Sequence, residues 1–151
     1  MKKALSINFI EVFLDVLLTV SGLLLVMGVL HVLLYGKAVF TINIGISFIV
    51  YLIYILMLYN LRKIVCSIKL TPFCLGNVRR FKIIGYYMFS IAIFDAIMNY
   101  KRQAGIEIFA TRYGSLKGSF FMYIVLACMA LALAEIFKKA IEIKEENDST
   151  V

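Results

Sequence analysis

The sequence predicts an all-α integral membrane four-helix bundle, with both termini in the cytoplasm and a helical cytoplasmic loop between its second and third spans. Three observations predict it. The first is the distribution of charge: none falls between Asp15 and Lys37 or between Lys37 and Arg62, only Asp95 falls within Ile83 to Tyr100, and only Glu135 within Gly118 to Phe137. A hydrocarbon core of about 30 Å takes roughly 20 helical residues at about 1.5 Å each, so each stretch is long enough for one crossing. The second is composition. With 63% hydrophobic and 17% charged residues and a mean hydropathy of +0.95, the chain departs from the balance of soluble domains, and its 151 residues leave no room for a separate soluble one. The third is the placement of basic residues. With the N-terminus inside, eleven Lys and Arg fall in the inner segments and five in the outer ones, which is the positive-inside asymmetry. That asymmetry accounts for the net charge of +7 and makes the bilayer, not nucleic acid, the expected partner.

The spans are expected at about 12–35, 40–61, 83–100 and 118–138, with an inner loop at 62–82, an outer loop at 101–117 and an inner tail at 139–151. The first helix is expected to begin near Asn8, placing Glu11 and Asp15 one turn apart on one face. These two charges interrupt the apolar run that a cleavable signal would need after Lys2 and Lys3, so the first span is expected to be retained as an anchor. Gly36 and Lys37 then read as a short outer turn that makes the first two spans antiparallel neighbours. Tyr51, Tyr54 and Tyr59 become denser towards the inner end of the second span, at the depth where amphipathic rings settle.

In the inner loop a helix is expected to continue to Lys69 and break at Leu70-Thr71-Pro72. Thr71 then reads as the N-cap of a new helix and Pro72 as its first residue. Beyond the third span, Gly105-Ile106-Glu107-Ile108-Phe109 alternates in a way that suits a short strand or an interfacial segment equally. In the fourth span Ala127, Ala130 and Ala134 recur at helical spacing, a packing face of small residues. That helix is expected to run on to Lys144 before a polar tail.

Ionisable groups in the spans are the first functional candidates, because leaving them unpaired in lipid costs several kcal/mol. Asp95, Asn99 and Arg102 form a polar stripe on one helix face, and His31 lies at a depth that could match Asp95. These four suit a proton-transfer or pH-sensing site, or, more plainly, polar glue between helices. Glu135 is within reach of Lys138 and Lys139, and Glu11 and Asp15 of Arg62 or Lys63, which suggests an inner-leaflet charge network joining the first, second and fourth helices. Cys66, Cys74 and Cys128 form no CxxC pair, and a single histidine lacks a ligand set, so neither a metal nor another cofactor is expected. No nucleophile–base grouping or phosphate-binding loop is present in the sequence, and an enzyme is not expected. The basic run Asn77-Val78-Arg79-Arg80-Phe81-Lys82 would attract anionic headgroups at about 1 kcal/mol per charge, or a cytoplasmic protein.

Two blocks carry a family resemblance. Thr71-Pro72-Phe73 followed by Asn77 to Tyr86, and Leu133 to Ala140 followed by Glu146 to Val151, resemble the signatures of a bacterial four-span family known as domain of unknown function 2975. Cys74-Leu75-Gly76 departs from that pattern, where a polar, acidic helix start is usual, as do Ala140 and Ser149. The resemblance implies a fold and a location without a reaction. It also implies a cytoplasmic partner, since members are often encoded beside a small helix-turn-helix regulator. Phe73, Asn77, Arg79, Arg80, Glu135, Phe137 and Asp148 are then the candidate partner-binding residues.

Overall fold

The computed structural model describes residues 2–39, 42–69, 72–100, 106–111 and 114–149, with side chains described for 7–35, 44–69, 72–100, 106–110 and 114–149. It holds four long helices and a two-stranded sheet, divided into two compact units, Met1–Leu70 and Thr71–Val151.

The first unit is an antiparallel pair, α1 (Lys2–Val39) and α2 (Ile42–Ile68). The first helix therefore starts before Asn8 and runs straight through Gly36 and Lys37. A glycine inside a helix costs only about 1 kcal/mol, and the charge at Lys37 marks where the apolar run ends, not where the helix does. Leu14, Ile64 and Val65 are buried between the helices. Further along the pair the Tyr51 hydroxyl donates to the Ser21 carbonyl at 2.9 Å. The Phe48 ring packs over Gly28, 3.4 Å from the point a Cβ there would occupy, an ordinary contact distance.

The second unit is built on α3 (Leu75–Asn99) and α4 (Gly118–Ser149), joined by the hairpin β1 (Glu107–Thr111) and β2 (Gly114–Lys117). The segment left open between strand and interfacial region is thus a strand. It pairs antiparallel, with a bulge at Ile108 between the Glu107–Lys117 and Phe109–Leu116 partners. The second unit's hairpin of helices keeps one register from end to end. Val78 clusters with Ala134 and Ile141, Gly85 lies on Ala127 and Leu131, and Asp95 meets Ser119. Ala127, Ala130 and Ala134 are all buried, the packing face their spacing predicts. A Cβ on Gly85 would come within 2.8 Å of Leu131 and 3.3 Å of the Ala127 carbonyl, so the two backbones approach closely because no side chain stands there.

Two helix limits differ from expectation. The start of α3 is capped by Cys74, in extended backbone with no side-chain capping bond, and Pro72 lies outside the helix. Thr71 falls outside the described residues. The last helix continues through the acidic residues to Ser149, well beyond Lys144, giving about 48 Å at about 1.5 Å per residue.

Each helix is long and apolar enough to cross a membrane. Most of their large apolar side chains face outwards: Leu33 is 74% exposed, and Leu23, Met27, Val125 and Met129 are similarly uncovered. Water-soluble folds keep such patches to a few hundred Å². In lipid the same surface is at rest, while the backbone groups are satisfied within each helix.

Candidate functional site: an aromatic platform and its polar clamps

At the N-terminal end of α3 the chain builds a small platform. Phe137 of α4 lies between two rings, Phe81 at 5.2 Å and Phe73 at 5.7 Å between centroids, both tilted by about 41–42°. Such pairs contribute about 0.5–1.5 kcal/mol beyond the area they bury. Phe73 precedes the helix, so something must hold its segment in place. That is Asn77, whose side chain is 0% exposed. Its amide nitrogen donates to the Pro72 carbonyl at 3.0 Å, and its amide oxygen accepts from Arg80 Nη1 at 3.0 Å. The backbone amides of Asn77 and Val78 both donate to the Cys74 carbonyl, closing the turn. Lys82 and Glu135 pair at 2.8 Å beside the stack.

Of the seven candidate partner residues, the structure gathers Phe73, Asn77, Arg80, Glu135 and Phe137 into this assembly. Asn77 shapes the surface from beneath and Arg80 braces it, leaving Phe73 (50% exposed), Leu75 and Arg79 on the outside. Asp148 is exposed in the last turn of α4, about 16 Å beyond Phe137 at about 1.5 Å per residue. Phe81 and Lys82 complete the platform and were visible only as part of a basic run. Their role depends on which α4 residue faces them, and no local pattern supplies that.

The expected charge network divides differently. Asp15 pairs with Arg62, as anticipated, and Glu11 with Lys69, with the Cys66 thiol donating to Glu11 at 3.4 Å. Lys63 lies over the Tyr59 ring at 5.4 Å. Glu135 pairs with Lys82 of α3, in place of Lys138 or Lys139, and Lys138 pairs with Glu142 at 3.5 Å. A helical side chain leans towards its own N-terminus, which carries Glu135 away from the lysines that follow it and towards the neighbouring helix.

The polar stripe of the third span is also engaged within its own unit. Asp95 accepts from Asn99 Nδ2 at 2.8 Å and from Ser119 Oγ at 2.7 Å, one donor for each carboxylate oxygen. Ser119 is the partner that sequence reasoning missed; its signal is its place, opening the fourth span where Asp95 nears the end of the third. The His31 ring lies 4.9 Å from that of Tyr35. Arg102 falls outside the described residues.

The connecting hairpin carries a third clamp. The Lys117 ammonium, only 5% exposed, donates to Glu107 Oε1 at 2.5 Å and to Ser115 Oγ at 2.8 Å, and Ser115 Oγ also lies 2.8 Å from Glu107. The lysine and then the serine hold the Glu107 carboxyl below its ordinary value of 4.5. A depressed carboxyl stabilises the fold above its unfolded value and loses that contribution as pH falls through the folded one. Hairpin amide resonances are therefore expected to hold steady down to about pH 4.5 and to shift below it. Glu107→Gln should remove that acid step in an NMR titration.

Among the described residues no group of three or more His, Cys, Asp or Glu could hold a metal ion. What the geometry defines is a helical protein of the membrane class, with four helices long and apolar enough to span a bilayer and an ordered aromatic surface at the start of α3. The chain belongs to the DUF2975 family, proteins of unknown function, whose profile matches residues 35–151. The match takes in both signature blocks and leaves most of α1 outside. No curated protein and no solved structure matches the chain.

Proposed function

We propose that this is a non-enzymatic, multi-pass protein of the bacterial plasma membrane, with both termini in the cytoplasm, that holds or regulates a cytoplasmic protein. A small helix-turn-helix transcription regulator is the partner the family resemblance favours. The orientation rests on the basic residues at one end of the second unit, Arg79, Arg80, Lys82, Lys138, Lys139 and Lys144, which the inner leaflet and the positive-inside bias both favour. The observation that carries the reading is the Phe73–Phe137–Phe81 stack buttressed by the buried Asn77. Joining two spans needs only a flexible turn, whereas this segment is held by side-chain and backbone bonds and presents Phe73, Leu75 and Arg79 outwards. An exposed aromatic and an arginine on a fixed scaffold are the elements from which binding hot spots are made.

A small transporter or channel subunit, or a proton- or pH-sensing protein, using His31, Asp95 and Asn99 is the second reading. It draws less support, because both Asp95 oxygens are occupied, one by Asn99 of the same helix and the other by Ser119 at the start of α4, as in interhelical glue.

The test is capture from the native host in gentle detergent, followed by mass spectrometry. Wild type should recover one cytoplasmic regulator. Arg79→Ala and Phe73→Ala, made singly, should each reduce its recovery about tenfold or more, within the ~2 kcal/mol or greater effect of a hot-spot truncation. Equal recovery by all three, or none by wild type at matched expression, would sink the reading.

A further inference from the structure

The hairpin Glu107–Lys117 is built inside out for an aqueous loop. Two polar side chains of the hairpin face inwards: Ser115 and Lys117 are buried, and Lys117 is neutralised by a partly exposed Glu107. Its apolar side chains face outwards: Ile106 is 82% exposed and Phe109 61%, with Ile108 uncovered beside them. The bulge contributes to this. Alternation would send Phe109 to the face of Glu107, but the bulge sets Ile108 and Phe109 together against Leu116, so both fall on the outward side with Ile106.

The hairpin is also tied directly to the ends of two membrane helices. The Ser115 amide donates to the Tyr100 carbonyl at 2.9 Å, and the Gly118 amide to the Ile106 carbonyl at 2.9 Å. Ile106 thus sits beside the first residue of α4, level with the point where that helix begins to expose Phe121 and Met122. A two-stranded hairpin is marginal by itself, and bare apolar strands in water invite edge pairing. The occupant that covers this face is the lipid already in contact with the adjoining helices, since the apolar surface is continuous from α4 onto β1.

We propose that Ile106, Ile108 and Phe109 form an interfacial anchor that inserts into the headgroup–acyl boundary, at the membrane face opposite the Phe73–Phe137 platform. The depth is bounded on both sides. Exposed strand edges keep unpaired backbone groups out of the hydrocarbon core, while the apolar side chains favour leaving bulk water. The anchor fixes the height at which α3 ends and α4 begins, and its internal Glu107–Lys117 pair lowers the cost of bringing charge to the interface.

The chain has no tryptophan, so Phe109→Trp and Ile106→Trp each give a single reporter. Full-length variants would be placed in nanodiscs of phosphatidylcholine and phosphatidylglycerol, with Glu145→Trp, on the exposed last turns of α4, as the aqueous reference and circular dichroism to establish native helix content. Both hairpin reporters should emit to the blue of the reference and resist acrylamide. Lipids brominated near the carbonyl end should quench them to roughly half or less, more strongly than lipids brominated near the chain terminus. Emission like that of the reference, with acrylamide quenching, would overturn the anchor. So would blue emission unaffected by brominated lipid, which would mean that protein covers the face. Ile108→Trp provides a third position should either of the others fail to fold.

Discussion

Replacing Gly85 with valine is expected to be among the most damaging single changes to the second helical unit. The position has no room for a side chain: even a Cβ would lie 2.8 Å from two carbons of Leu131 and 3.3 Å from the Ala127 carbonyl. Leu131 can rotate its tip, but the Ala127 carbonyl is backbone and moves only with α4. Overpacking of this kind costs about 1–3 kcal/mol. Its consequence is larger in lipid than the number suggests, because lipid tails are as apolar as leucine and close packing, not the hydrophobic effect, holds such helices together. Ala127, Ala130 and Ala134, with Gly85 opposite, would all lose contact at once. The control is Gly22→Ala, where nothing lies within 4 Å of the new carbon; it should be neutral or slightly stabilising, by up to about 1 kcal/mol. Unfolding in SDS, followed by circular dichroism, compares the two. Equal stability of Gly85→Val and wild type would show that the approach of α3 to α4 does not depend on this glycine.

How much of this was legible beforehand follows from the range of each signal. The spans were legible because each is a local absence of charge, and the alanine face because its spacing lies within one helix. Partners across helices were not, since they depend on the register between α3 and α4. Asp95 could be singled out, but not its donor Ser119, and Glu135 was assigned to the lysines nearest in sequence when Lys82 of the neighbouring helix takes it. The start of α3 shows a local rule overridden by tertiary contact. Thr71 followed by Pro72 is a good helix start by capping chemistry, yet residues 72–74 stay outside the helix. Phe73 is stacked on Phe137 and Pro72 accepts from Asn77, and a helix begun at Pro72 would carry both away from those partners. In the hairpin, alternation was visible, but the pattern from Gly105 to Phe109 fits a strand or an interfacial segment equally. The structure makes it a strand, and what decides is the clamp of Glu107 on Lys117, ten residues away.

The same override makes Asn77 the residue on which the candidate surface depends most. Its amide is wholly buried, donating to Pro72 at 3.0 Å while accepting from Arg80 at 3.0 Å, and both bonds go with the side chain. Removing one partner of a buried hydrogen bond leaves the other unsatisfied, at about 1–3 kcal/mol. Asn77→Leu, with the same branching of heavy atoms but without either bond, is expected to free the 72–74 segment and release Phe73 from Phe137. Asn77→Asp keeps an acceptor for Arg80 and loses only the donor to Pro72, so it should fall between. The helices themselves should persist in both, because α3 and α4 are held further along by Val78, Gly85 and the Asp95–Ser119 bond. The measurement is therefore paired: circular dichroism unchanged, and protease cleavage at Phe73 increased in the order wild type, Asp, Leu. Partner recovery should fall in the same order if the platform is the binding surface. A variant that frees Phe73 yet captures the regulator as well as wild type would separate the platform from the function and leave it a purely architectural joint.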